Sequence, residues 1–290
     1  MSDNINPTNQ NDLPWDLVIE PKTAVFKLNL KQVWRYRDLL WLFVHRDFVS
    51  FYKQTILGPI WFLIQPLFTM GMYLFIFGQL AGISTDGLPQ PLFYLIGIAA
   101  WSYFSDCVTK TSIVFKDNSS IFGKVYFPRL IMPLSIVVSN LVRFGIQLLL
   151  IALAMIYFYM IGAHFSITPY ILLLPVLIVL MALLGLGLGM IVSALTTKYR
   201  DLALLVNFGI TLLMYATTVV YPLSSLTGKM KTVIALNPMT AIIEGMRLGL
   251  LGKGSFQWGD LVYTTIIAVC IALAGALIFN KVEKNFVDTI

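Results

Sequence analysis

Apolar residues along this chain gather into long runs, not into the short alternating segments that would mark strands. After Gly58-Pro59 no charged residue occurs until Asp86. A helix needs about 20 apolar residues to cross about 30 Å of hydrocarbon. Six stretches qualify: residues 55–80, 91–109, 130–161, 169–195, 202–221 and 261–279. The pattern predicts an all-α integral membrane protein with six transmembrane helices. Pro66, Pro175 and the "GLGLG" run at 185–189 fall inside these stretches. Membrane helices tolerate such residues, and the glycines read as sites of close helix packing.

Two further stretches are apolar in a different way. At 100° per residue, Lys31, Arg35, Asp38, His45, Arg46 and Lys53 fall on one arc. Val33, Leu40, Val44, Phe48 and Phe51 fall on the opposite arc, with Arg37 and Asp47 breaking the pattern. Seven of residues 31–53 are aromatic. Residues 31–54 are therefore expected as an amphipathic helix lying in the membrane interface, turned into the first span at Gly58-Pro59. Residues 222–252 hold two apolar pieces around Asn237-Pro238-Met239. The second is too short to cross, so both are expected as re-entrant helices before the last span. Glu244 and Arg247 stand three apart and can pair on one helix face.

Charge sets the orientation. Residues 1–54 hold seven Lys and Arg, 110–129 hold four, 196–201 hold Lys198 and Arg200, and the tail holds Lys281 and Lys284. Residues 81–90 and 162–168 hold none. The alternation places both termini and the basic loops in the cytoplasm. Lys124 and Lys198 are expected inside, Asp86 and His164 outside. Residues 222–260 are the exception, an outer stretch with four basic residues. Residues 1–30 are expected as a cytoplasmic tail, and residues 1–22 lack the basic start and apolar core of a signal peptide. Arg143 falls inside a 32-residue apolar run, about 48 Å of helix. It sits either at the cytoplasmic edge, where it can snorkel, or against a polar cavity.

Residues 114–129 are too polar to span. Their centre, "DNSSIFGKVYF", suits one short helix capped by Asp117 or Asn118 and ended before Pro128. Such a helix between two spans is a lever that a soluble partner could grip.

Composition fits this picture: 58% of the 290 residues are apolar and 12% are charged, against about 25% charged in soluble domains. The net charge of +6 serves orientation and gives no reason to expect nucleic acid. Cys107 and Cys270 have no CxxC or Cys/His spacing, so neither a disulfide nor a metal site is expected. Gly123-Lys124, Gly228-Lys229 and Gly252-Lys253 are not followed by Ser or Thr, so no P-loop is present. An intramembrane transferase would need titratable groups within the spans. Only His45, in the interface helix, and His164, in an outer loop, are available, with Asp106 near the cytoplasmic end of its span. No catalytic residue is expected.

"YRDLLWLFVHRDFVSFYKQTILGPIW", "KVYFPRLIMPLS", "TTKYRDL" and "YPLSS…LNPMTAIIEGMR" together resemble the membrane subunit of ABC-2 exporters of polysaccharides, the family that handles O-antigen, capsule and teichoic-acid-type polymers. The resemblance covers nearly the whole chain past Trp15, with residues 55–290 as the ABC-2 transmembrane domain. It implies a permease of the bacterial inner membrane that works as two copies among membrane lipids. Two copies of a separate ATPase subunit would supply ATP and Mg, leaving this chain without a cofactor. A lipid-linked polysaccharide would be the cargo; a small lipid or drug is the alternative. The ATPase-coupling residues implied are Arg46, Asp47, Lys53, Lys116, Asp117, Lys124 and Arg129. The implied channel is lined by Trp61, Gln65, Phe68, Met72 and Phe75 of the first span and by Thr211, Tyr215, Thr218 and Tyr221 of the fifth. Asn237, Pro238, Glu244 and Arg247 would form an outer gate. Trp61, Phe68 and Phe75 recur every seven residues as one stripe, on which sugar rings could stack without being trapped.

Overall fold

A computed structural model describes residues 30–53, 55–122, 125, 127–197, 199 and 201–287. All regular structure among them is helical. Helices α1 (Leu30–Arg35) and α2 (Arg37–Lys53) follow one another across a turn at Tyr36, whose N–H still donates to the carbonyls of Gln32 and Val33. A short 3₁₀ turn, Gly58–Ile60, leads into α3 (Trp61–Tyr73), which winds on as a π-helix over Leu74–Leu80. Then come α4 (Gln90–Ser112), the one-turn pieces α5 (Val114–Asp117) and α6 (Ser119–Phe122), and α7 (Ile131–Met160). The chain returns through α8 (Leu174–Thr196), preceded by a 3₁₀ segment, Pro169–Leu173. Helices α9 (Leu202–Tyr215), α10 (Gly228–Ala235), α11 (Pro238–Leu251) and α12 (Trp258–Val287) complete it.

Local sequence explains the boundaries. Pro91, Pro175 and Pro238 lie in first turns, where the missing N–H has no helical partner to lose. Asn237 caps α11 by accepting from the Met239 N–H at 3.0 Å, and Gly252 ends it at φ 79°. Close approach demands small residues where α8 meets its neighbours. A Cβ on Gly189 would lie 2.5 Å from Cβ of Thr111, and one on Gly187 would lie 2.7 Å from the backbone of Ile271.

Among the described residues, five helical segments are long and apolar enough to cross a membrane: Gly58–Leu80, Gln90–Ser112, Ile131–Met160, Pro169–Thr196 and Trp258–Val282. The fifth expected span differs. Its helix ends at Tyr215, so its 14 residues reach about 21 Å, short of the hydrocarbon thickness. The polar run Thr217-Thr218 then turns into the protein, where both residues are fully buried. The two apolar pieces near 222–252 form α10 and α11, bent by 90°.

The main core runs along α4. A second aromatic cluster lies at the end of the bundle that carries the basic loops: Phe43, Phe115, Phe122, Phe127 and Phe279 with Ile131, Met132 and Met190. It joins α2, the segment around α5 and α6, and the near ends of α7, α8 and α12.

Candidate functional site

Helix α2 turns Phe43 and Val44 into the protein, while Trp34, Trp41 and Leu42 are exposed. The expected apolar arc is met at Val33, Leu40, Val44 and Phe48, all buried or half-buried, and is widened to Phe43, which finds a partner ring in Phe127 at 5.8 Å. Asp47 breaks the arc for a reason. It sits half-buried between α2 and α7, paired with Arg46 at 2.9 Å and accepting from the Ser139 hydroxyl at 3.4 Å. The Arg46 guanidinium also lies 4.9 Å from the Phe43 ring centre. Lys53 is exposed at the end of α2.

The loop after α4 is built as a peg with an aromatic root. Phe115 stacks on Phe279 at 4.6 Å, and Phe122 stacks on Phe127 at 5.8 Å. Lys116 and Asp117 point outward, exposed. Arg129 is largely buried with its guanidinium 5.4 Å from the Phe122 ring centre. The expected single helix is instead two turns broken at Asn118. Its side-chain amide donates back to the Val114 carbonyl at 3.1 Å, closing α5 where an N-cap was expected for one helix. Lys124 and Lys198 lie outside the described residues.

The stripe on the first span is one exposed face. Trp61, Gln65, Phe68, Met72 and Phe75 all lie on it, Phe68 at 74% exposure. Phe62 and Pro66 face inward. On α9, Thr211 and Tyr215 are exposed as well. The two helices meet where the Tyr73 hydroxyl donates to the Met214 sulfur at 3.2 Å. Tyr221 is half-buried and donates to the Tyr215 carbonyl at 2.7 Å. Thr218 does not join this face: the chain has left the helix by then, and the residue is enclosed.

The four residues expected at an outer gate separate into two pairs. Asn237 and Pro238 are half-exposed at the bend, where the Asn237 amide donates to the Ala216 carbonyl at 3.2 Å. Glu244 and Arg247 are buried and pair at 3.2 Å. The Arg247 guanidinium lies 3.4 Å from the Phe93 ring centre and donates to the carbonyls of Phe93 and Val219. Glu244 accepts from the Ser255 N–H at 2.9 Å. One ion pair thus ties α11 to α4, to the turn after α9 and to the loop before α12.

A polar cluster lies near the basic end of α4 that the sequence reading did not assemble. Asp106 meets Lys110 at 3.2 Å and Arg143 at 3.6 Å, and Lys110 donates to the Asn140 side chain at 3.0 Å. The Arg143 guanidinium lies 5.1 Å from the Phe62 ring centre. Arg143 therefore faces a polar groove beside the last turns of α4. The signal was present: Asp106 and Lys110 stand four apart, and Ser139, Asn140 and Arg143 share one face of an otherwise apolar run.

The chain belongs to the ABC-2 type transporter family, which matches residues 38–251. It is 27% identical over 265 residues to the O-antigen export system permease protein RfbA of Myxococcus xanthus, covering 90% of this chain and 98% of that protein. It is 26% identical over 252 residues to an RfbA of Klebsiella pneumoniae, covering 87% and 94%. The polysialic acid transport protein KpsM of Escherichia coli is 20% identical over 229 residues, covering 79% and 87%.

Proposed function

We propose that this chain is the permease subunit of an ABC exporter that moves a lipid-linked polysaccharide across the bacterial inner membrane. The observation that carries this reading is the exposed face of α3, with Trp61, Gln65, Phe68, Met72 and Phe75 aligned on a span that its own protomer leaves uncovered. Aromatic faces flanking a glutamine and a thioether offer stacking without a fixed hydrogen-bond pattern, which suits a polymer that must slide. The similarity to O-antigen export permeases along nearly the whole chain supports the choice of cargo.

In this reading two copies enclose the path between their α3 and α9 faces. The basic end and both termini face the cytoplasm, and a separate ATPase subunit, which hydrolyses ATP with Mg, docks there. Helix α2 and the peg bearing Lys116 and Asp117 receive its motion, and the shared aromatic cluster passes that motion to α7, α8 and α12 together. At the opposite end α11 is a fixed strut held by Glu244 and Arg247, and the bend at Asn237-Pro238 lets α10 move.

Co-expression with the cognate ATPase in a strain that makes polymer but cannot export it tests the reading. The parent pair should restore surface polymer. Exchanging the charges, Lys116→Glu with Asp117→Lys, should reduce ATPase co-purification and export together. Export of a small lipid or drug with no surface polymer would overturn the polysaccharide assignment. Export unaffected by the exchange would remove the peg from the ATPase contact.

A further inference from the structure

We propose that Asp86 is a positioning residue for export: it latches residues 224–236, the segment that carries α10, across the outer end of the α3 and α9 faces. The inference rests on the permease reading above and adds the contact that must break when that end opens.

The segment has little packing of its own. The turn before it is enclosed, with Thr217, Thr218, Val219, Val220 and Leu223 all buried. From Ser224 onward the chain emerges: within residues 224–236 only Ile234 is buried, and Met230 and Val233 are each 66% exposed. Polar contacts hold the two ends. The Ser224 hydroxyl lies 2.7 and 2.6 Å from the two carboxylate oxygens of Asp86. At the far end the Tyr263 hydroxyl donates to the Leu236 carbonyl at 3.0 Å, beside the bend at Asn237. A hydroxyl donates more strongly to a carboxylate than to a neutral carbonyl, so the Asp86 end is the firmer hold. Ser224 is exposed, so water can replace it as donor and the net strength stays modest. Such a contact can break and re-form in each transport cycle.

Asp86 itself belongs to a fixed bracket. It stands at φ 55°, in a loop where Gly82 and Gly87 stand at 61° and 71°. Left-handed backbone is uncommon outside glycine, and it persists where the surroundings impose it. The Thr85 hydroxyl donates to the Leu88 carbonyl at 2.8 Å, and Leu88 is buried, which ties the loop down just before α4. From the other side Lys253 donates to the Asp86 carbonyl at 2.8 Å. Lys253 follows α11, whose end is held by Thr168 through a hydroxyl on the Leu248 carbonyl at 2.6 Å. The fixed part of the fold thus presents a carboxylate to the first exposed residue of a loosely held segment. Placement ties the contact to the path. The Asp86 loop follows the π segment Leu74–Leu80 of the first span, and Ser224 follows Tyr221 beyond α9. The latch joins the ends of the two helices whose exposed faces enclose the proposed route.

Two measurements on the full-length chain test the latch. In the first, Asp86→Cys with Ser224→Cys is bridged by a short bis-methanethiosulfonate reagent on spheroplasts that make the polymer and the cognate ATPase. The exposed Cys270 is replaced by Ser, and Cys107 is buried. Bridging should lower polymer delivery to the outside at least tenfold, and reductant should restore it. Each single-cysteine variant given the same reagent should stay within about twofold of its untreated rate. Bridged complexes that deliver polymer as fast as the reduced ones would overturn the latch. The second measurement needs no cargo: hydrogen exchange of the purified chain in detergent. Ser224→Ala changes an exposed side chain, so the fold should persist. Exchange of the amides of residues 226–236 should speed up at least threefold, with those of α11 unchanged. Asp86→Asn suits the left-handed backbone but loses the charge, and should give a smaller rise. Parental exchange in Ser224→Ala would overturn the latch. An equal rise along α11 would overturn it too, by making the contact part of the general packing. Failure of the parent complex to deliver polymer strikes the polysaccharide reading alone, because hydrogen exchange still judges the latch.

Discussion

The first and second spans are both long apolar helices, yet the protein uses them in opposite ways. In Gly58–Leu80, 11% of the most apolar 18-residue stretch is buried; in Gln90–Ser112 the figure is 78%. Helix α4 is wrapped on every side, by α3, α7, α8, α9 and α11. The first span gives its inner face to α4 and α7 and leaves Phe68, Met72 and Phe75 uncovered. Hydropathy reports only that a helix can lie in a membrane. Enclosure separates the helix that organises the fold from the helix whose surface is free for lipid, a second copy or cargo. The backbone follows the same division. Helix α4 is regular throughout, whereas the first span carries Pro66 and a seven-residue π segment, irregularities that often mark functional helices.

The comparison breaks most readily at Arg247. Arg247→Leu leaves Glu244 buried without its partner, and losing half of a buried pair costs about 3–5 kcal/mol. Folded yield in detergent should collapse and the melting temperature should drop sharply. The double substitution Arg247→Leu with Glu244→Leu should recover part of the loss, because no charge is then stranded. A parental melting curve for Arg247→Leu would mean that the enclosure of α4 does not depend on this pair.

A smaller effect sharpens the contrast directly. Phe93→Ala on α4 opens a cavity beneath Arg247 and should cost about 3 kcal/mol, the low end for such truncations in soluble cores, because the bilayer removes part of the solvent-transfer advantage. Phe68→Ala on α3 removes a ring that touches little of its own protomer and should stay within about 0.5 kcal/mol. Thermal melts of the monodisperse protein read both. Equal losses would show that Phe68 is covered by a tightly bound second copy.

The same division governs what could be read in advance. Apolar runs placed the first four spans and the last one close to their observed limits, since length and hydropathy alone decide them. The fifth expected span was too long because Thr217 and Thr218 are polar enough to suit a channel wall, yet they serve as an internal turn under Arg247. Sequence patterning showed that Trp61, Phe68 and Phe75 share a face; it could not show whether that face is covered. The groove was hidden for another reason. Its residues come from three helices separated by 63 to 96 positions, Asp47 against Lys110 and Arg143. Each of them, taken singly, reads as an edge charge. Asn118 shows the limit on the finest scale: its preference for bonding local backbone was legible, but not that it would serve as donor to Val114 and break the helix.

The smallest effect is the one closest to function. Trp61→Leu, Phe68→Leu and Phe75→Leu keep apolarity and much of the volume, so folded amount should hardly change. If sugars stack on these rings about as weakly as the low end for nucleic-acid bases, about 1 kcal/mol per ring, local occupancy falls about fivefold at each altered position. Several such positions lie in series along the span, so export per folded molecule should fall by less than that for any single variant. It should fall further when two are combined. Thr218→Val is the control, since Thr218 is enclosed: it should leave export per folded molecule at the parental value whatever it does to stability. The measurement is surface polymer normalised to folded permease for each variant. Parental export from all three Leu variants would mean that the exposed face of α3 meets lipid or the second copy. The path would then be sought along Thr211 and Tyr215 of α9.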